Sequence, residues 1–66
     1  AMTRREEIDL EIRRQALRLY PRCVALFELP LMVYAQIMED NTTRRNPYRV
    51  SEARIRKIIS SMPELN

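Results

Sequence analysis

The sequence predicts a small all-α domain, and three observations lead to that prediction. Apolar residues recur at helical spacing in three separate stretches. The chain has no pair of strand-like segments that could form a sheet. Its 66 residues allow only one small core. We therefore expect residues 1–66 to form a single domain of three to four helices, with a helix-loop-helix C-terminal half.

The first predicted helix spans residues 4–20. Thr3 and Glu6 have the spacing of a capping box, in which each side chain satisfies a backbone group at the helix start. Neither Gly nor Pro interrupts the segment before Pro21, which ends the helix because proline lacks a backbone donor. The segment is amphipathic, and its apolar face consists of Ile8, Ile12, Ala16, Leu19 and Tyr20, with Leu10 and Leu17 at its flank.

The apolar run of residues 22–29 fits either a short helix or a strand, because periodicity cannot decide at this length. We favour a short helix, since no second strand is available for pairing. Pro30 suits the first turn of the next helix, which we predict over residues 31–39. Apolar residues surround most of this helix, so we expect it to be the central one. They form two stripes, one of Leu31, Tyr34, Ala35 and Met38 and one of Val33 and Ile37.

Residues 41–50 form the one clear loop, because Asn, Thr and Pro favour turns and Asn46-Pro47 interrupts regular structure. Ser51 then caps a last helix, which Pro63 stops. Its apolar positions follow the i, i+3, i+4, i+7 pattern of a helix that buries one face. The predicted core of the domain consists of Ile8, Ile12, Leu19, Leu26, Phe27, Leu31, Tyr34, Ile37, Ile55, Ile58, Ile59 and Met62.

The residue types that are missing exclude most catalytic and metal chemistry. The chain has no His and no Gly, and it has one Cys. Zinc sites need several Cys or His ligands, histidine triads need His, and phosphate-cradling loops need Gly. Glu6, Glu7 and Glu11 lie near Arg4 and Arg5, where helical ion pairs are the ordinary explanation. We therefore expect no enzymatic activity, no cofactor and no metal.

A single cysteine also bears on the compartment. Cys23 has no partner for an internal disulfide, whereas small secreted domains usually carry several. We therefore expect a reducing cytoplasm, with Cys23 as a small buried residue rather than a reactive thiol. No apolar run is long enough for a membrane helix, and the N-terminus lacks the apolar core of a signal peptide. Ala1 before Met2 fits a cloning remnant.

Two basic segments lie on either side of an acidic, apolar middle. The formal net charge is +3, and residues 41–57 carry six cations against Glu52 alone. Residues 12–22 carry four arginines and no acid. Arginine binds phosphate or carboxylate through two hydrogen bonds, and both arginine and tyrosine can stack on a base. An ordinary solvated surface is one interpretation, but we favour an anionic partner, either nucleic acid or an acidic protein surface.

The leading hypothesis is a small regulator that binds RNA or DNA through the arginine-rich loop and the helix after it. The contact residues would be Arg44, Arg45, Tyr48, Arg49, Arg54, Arg56 and Lys57. Residues 31–62 also fit a loose helix-turn-helix, although the usual turn has only about three or four residues. The alternative is a protein-interaction module, an inhibitor or adaptor that docks through residues 23–39. A homodimer would also add stability to so small a core.

Three motifs follow one another along residues 12–60. Leu19-Tyr20-Pro21-Arg22-Cys23 is a helix end with an aromatic-Pro pair, Pro30-Leu31-Met32-Val33 follows after a short gap, and a Ser-capped helix covers residues 51–59. This order resembles the FinO/ProQ family of RNA-binding proteins, whose early arginine in the capped helix falls on Arg56. Met32 and Tyr34 stand where the family has lysine and glycine, and its C-terminal tyrosine-bearing segment and hairpin have no counterpart here. The resemblance implies RNA binding by a cut-down relative.

Overall fold

The computed structural model describes residues 1–66 and confirms an all-α fold without strands. Helix α1 spans Arg4–Leu19, α2 spans Leu29–Asn41 and α3 spans Glu52–Ser60. Helix α2 thus begins two residues before its predicted start and ends two residues after its predicted end, and α1 ends one residue before its predicted end. Single turns of 3-10 helix complete the chain at Tyr20–Arg22, Leu26–Glu28 and Pro63–Leu65. Within the run 22–29 the predicted short helix is confirmed only as the 3-10 turn Leu26–Glu28, since Cys23 and Ala25 before it have extended backbone.

Side-chain caps determine where α1 and α3 begin. The Thr3 hydroxyl accepts a hydrogen bond from the Glu6 backbone N–H at 3.2 Å, and the Glu6 carboxylate accepts one from the Thr3 N–H at 2.9 Å. The hydrogen bond from the Thr3 backbone N–H to the carboxylate, with a smaller effect from the Thr3 side chain, holds the pKa of Glu6 below its ordinary value. The Ser51 hydroxyl accepts from the Arg54 N–H at 3.1 Å. Both caps that the sequence predicts are confirmed.

The three helices pack around one apolar core. The predicted residues Ile12, Leu19 and Ile37 are buried, and so are the predicted residues of α3 and the turn after it. Ile8 and Tyr34 are half-buried against this core. The complete core consists of Ile12, Ala16, Leu19, Leu29, Val33, Ile37, Ile55, Ile58, Ile59, Met62 and Leu65. None of the helices has both the length and the hydropathy that crossing a bilayer requires.

The prediction that Leu26, Phe27 and Leu31 lie in the core is wrong, because all three are exposed. A different stripe of α2 faces the core, because the packing of α1 and α3 against this helix selects it. That stripe consists of Leu29, Val33 and Ile37. In the other apolar stripe, Tyr34 and Met38 are half-buried against the core, whereas Leu31 and Ala35 remain exposed.

The loop of residues 42–51 takes its shape from Asn41 at the end of α2. The Asn41 carbonyl oxygen Oδ1 accepts hydrogen bonds from the Tyr48 backbone N–H and from Arg44 Nη1, both at 3.0 Å. The Asn41 Nδ2 donates to the Tyr48 backbone oxygen at 2.8 Å. These bonds close the loop on itself and position Tyr48 beside α1, where Arg4 stacks on its ring. A chain without glycine thereby obtains a loop of defined shape.

Candidate nucleic-acid interface

A groove lies between the start of α1, the end of α2 and the loop 42–51. Its volume is about 930 Å³, within the range of pockets that hold small ligands. Half-buried Ile8, Met38 and Val50 form its apolar floor. We call it the arginine groove, after the four arginines among its lining residues. The lining residues are Arg4, Arg5, Ile8, Asp9, Met38, Asn41, Pro47, Tyr48, Arg49, Val50, Ser51 and Arg54.

Tyr48 carries two guanidinium groups on its ring. The guanidinium carbon of Arg4 lies 4.4 Å from the ring centroid, and that of Arg44 lies 4.5 Å from it. Arg4 Nη2 also donates to the backbone oxygens of Asn46 at 2.7 Å and Pro47 at 2.9 Å. A base could not stack directly on the part of the ring that these arginines cover. Tyr48 thus packs against two arginines in this structure, and its contact with nucleic acid stays a prediction.

Glu11 is a charged group almost enclosed by the fold, with 8% of its surface exposed. Its carboxylate accepts hydrogen bonds from Arg14, from Gln15 at 3.0 Å and from Arg44 at 2.8 Å. Burial would raise the pKa of Glu11, but these hydrogen bonds together outweigh burial, so its pKa lies below the ordinary value. Arg44 therefore joins the loop to α1, and its side chain is only 22% exposed.

Two arginines of α3 are also held by carboxylates. Arg54 Nε donates to Asp9 Oδ1 at 3.1 Å and its Nη2 donates to Asp9 Oδ2, which joins α3 to α1 through a bidentate pair. The hydrogen bond from Arg54 lowers the pKa of Asp9. Arg56 pairs with Glu52 one turn away, at 2.8 Å. Nucleic acid would have to compete with these carboxylates for either arginine.

The remaining predicted contact residues carry free positive charge. Arg45, Arg49 and Lys57 are exposed and take part in no ion pair. Of these three, only Arg49 lines the arginine groove. The structure adds Arg4 and Arg5 to this groove, and Arg5 is likewise exposed and unpaired. From the sequence, helical ion pairs are the ordinary explanation for Arg4 and Arg5, and Arg4 does pair with Glu7 at 3.2 Å. No local pattern reveals that they face a loop about forty residues away.

A second surface feature is an exposed apolar patch at the start of α2. Val24 is 95% exposed and Phe27 is 77% exposed, and Leu26 and Leu31 are exposed beside them in the chain. We call these four residues the apolar patch. A shallow depression of about 380 Å³ adjoins it and is lined in part by Leu26, Phe27, Pro30 and Ile59. Large exposed apolar patches often mark interaction sites.

Cys23 is half-buried beside the apolar patch, and its thiol lies 3.5 Å from the Met32 sulfur. Burial, with a smaller effect from the Glu28 carboxylate, raises the pKa of the Cys23 thiol. A raised pKa disfavours the reactive thiolate. Elsewhere, no cluster of three or more acidic or thiol side chains is placed to hold a metal ion.

The comparisons with known proteins leave the family open. No protein-family model, no curated protein and no solved structure matches the chain. The resemblance to FinO/ProQ proteins therefore stays a hypothesis that rests on the three sequence motifs alone. Any functional assignment has to be argued from the arginine groove and the apolar patch themselves.

Proposed function

We propose that this protein binds nucleic acid through the arginine groove, as a binding module without catalytic activity. The observation that carries this proposal is the gathering of four arginines around one groove that contains a single acid, Asp9. Asp9 is already neutralised by Arg54, so the field in the groove is positive. Clefts lined by one sign of charge concentrate ligands of the opposite sign.

The free arginines of the groove supply the phosphate contacts. Arg5 and Arg49 are exposed and unpaired, so they can bind phosphate without first breaking an ion pair. Arg45 and Lys57 extend the positive surface outside the groove. Arg44 and Arg56 contribute less to the positive field, because Glu11 and Glu52 neutralise their guanidinium groups. We therefore expect substitutions of the free arginines to affect binding and substitutions of the paired arginines to affect the fold.

The proposal is tested by titrating a labelled oligonucleotide with the wild type and with the double variant Arg5→Ala/Arg49→Ala at two salt concentrations. Removal of two phosphate contacts should weaken binding and reduce the steepness of the salt dependence by about two units. The matched control is Arg13→Ala/Arg22→Ala, which removes the same charge from exposed, unpaired positions outside the groove.

The comparison between the two double variants separates local contact from overall charge. The control should lose much less affinity than the groove variant and keep most of the wild-type salt slope. Equal losses in both would mean that binding is a general effect of positive charge, and the groove would have no special role. Absence of binding at low salt would reject nucleic acid as the ligand.

The apolar patch favours a second candidate function, docking on a protein partner. Val24 and Phe27 are too exposed to contribute much to the fold, yet burial of an aromatic side chain contributes strongly to interfaces. The test compares proteins retained by the immobilised wild type with those retained by Phe27→Ser. Leu17→Ser is the control, since Leu17 is an exposed apolar residue of α1 that is not part of the patch. A specific partner should be lost with Phe27→Ser alone and should resist added salt.

A further inference from the structure

Arg4, like Arg44, is held both by hydrogen bonds and by stacking on Tyr48, but of the two only Arg4 lines the arginine groove. It stacks on Tyr48 at 4.4 Å and donates to the backbone oxygens of Asn46 and Pro47 and to the Glu7 carboxylate. Its side chain nevertheless remains 38% exposed and lines the arginine groove. A planar group that is already immobile can receive a stacking partner at a small entropic cost.

We propose that the arginine groove binds single-stranded rather than duplex nucleic acid, with an unpaired base stacked on the Arg4 guanidinium. The inference rests on the proposed nucleic-acid binding and specifies the class of ligand. Unpaired bases stack on arginine planes as well as on aromatic rings. Arg4 and Tyr48 then act as a two-layer platform, in which the tyrosine supports the arginine and the arginine receives the base.

The floor of the groove supports a base rather than a phosphate. Ile8, Met38 and Val50 are half-buried and apolar, and they line the groove together with its arginines. A base that covers this floor removes apolar surface from water, which favours binding. A phosphate bound at the edge of the groove would leave the same apolar surface exposed to solvent. Arg5 and Arg49 are free at the rim, where they can hold the phosphates on either side of that base.

A duplex could not place a base face in the same groove. Its base faces are stacked inside the double helix, so it presents phosphates and base edges instead. Reading those edges with α3 as a recognition helix would require free donors on that helix. Arg54 and Arg56 are paired with Asp9 and Glu52, which leaves Lys57 as the one unpaired cation of α3.

Three probes with similar numbers of phosphates test the inference on the unaltered protein. They are a single strand of about ten thymidines, which is within the usual site size of single-strand binders, an abasic strand of the same length, and a short duplex whose two strands are joined by a linker without bases. The thymidine strand should bind roughly tenfold or more tightly than the abasic strand, because stacking of one base has about that effect. It should also bind more tightly than the duplex at the same salt concentration.

The outcomes distinguish this inference from the proposed function. Equal, salt-sensitive binding of all three probes would overturn the single-strand inference and leave nucleic-acid binding in place. Tighter binding of the duplex would overturn it as well. Failure of every probe to bind would overturn both.

The role of Arg4 is tested by the conservative variant Arg4→Lys, which keeps the charge but has no planar group. The ratio of thymidine-strand to abasic-strand affinity should fall towards one, while the affinity for the abasic strand should change little. Arg49→Lys is the matched control and should preserve the ratio, since a phosphate contact needs charge more than a plane. An unchanged ratio in Arg4→Lys would refute the platform, and circular dichroism verifies that each variant is folded.

Discussion

Replacement of Arg44 by alanine should destabilise the fold, even though Arg44 lies in the basic loop. Arg44 Nη2 donates to Glu11 at 2.8 Å, Nη1 donates to Asn41 at 3.0 Å, and the guanidinium stacks on Tyr48. A hydrogen bond to a charged group contributes about 1.5–3 kcal/mol, and a cation–π contact at an exposed site about 0.5–1 kcal/mol. Because Arg14 still holds Glu11 in the variant, we expect a loss of about 2 kcal/mol in the free energy of unfolding.

Urea denaturation followed by circular dichroism measures this loss. A domain of this size loses roughly 4–8 °C in Tm for each kcal/mol, so Arg44→Ala should melt roughly 8–16 °C below the wild type. Arg45→Ala is the matched control. Arg45 is adjacent, exposed and unpaired, so its substitution should change the unfolding free energy by less than about 0.5 kcal/mol.

A double-mutant cycle with Glu11→Gln tests whether Arg44 stabilises the fold through the Glu11 carboxylate. If Arg44 acts through the Glu11 carboxylate, the two substitutions together should destabilise the protein by less than their sum. The reasoning is refuted if Arg44→Ala and Arg45→Ala have equal stability, or if the cycle shows no coupling between Arg44 and Glu11. Either result would mean that Arg44 is a free surface cation, available for phosphate.

Two further predictions concern pH and the core. The pKa values of Asp9 and Glu11 lie below their ordinary values of 3.8 and 4.5. Their stabilisation is therefore complete above those values and is lost as pH falls through the lower folded pKa values. Urea midpoints should decline below about pH 5, and Asp9→Asn should show a smaller decline than the wild type. In the core, Leu29→Ala should reduce the unfolding free energy by about 2–5 kcal/mol. Phe27→Ala should change it little, because Phe27 is mostly exposed, and equal losses would contradict the observed packing.

Local patterns in the sequence were sufficient to predict the helices. Caps at Thr3 and Ser51 and the breaker at Pro21 act within a few residues, so their effect can be recognised without the fold. The buried face of α2 could not be predicted in the same way. Two apolar stripes compete on that helix, and the packing of α1 and α3 selects the one that contains Leu29.

The arginine groove was only partly predictable from the sequence for a related reason. The basic run of residues 41–57 correctly marks a region rich in cations, but counting charges along the chain does not reveal which of them are neutralised. Asp9 and Glu11 lie far from that run in sequence, yet they pair with Arg54 and Arg44 in the fold. Arg4 and Arg5 reach the groove from the other end of the chain.

The most direct test of nucleic-acid binding at the arginine groove is an NMR titration of the isotope-labelled protein with the thymidine strand. Backbone amide signals of residues 4–9 and 46–54 should shift, because those residues surround the arginine groove. Signals of residues 24–31, around the apolar patch, should remain in place. Shifts confined to the apolar patch, or no shifts at low salt, would contradict our proposal that the arginine groove binds nucleic acid.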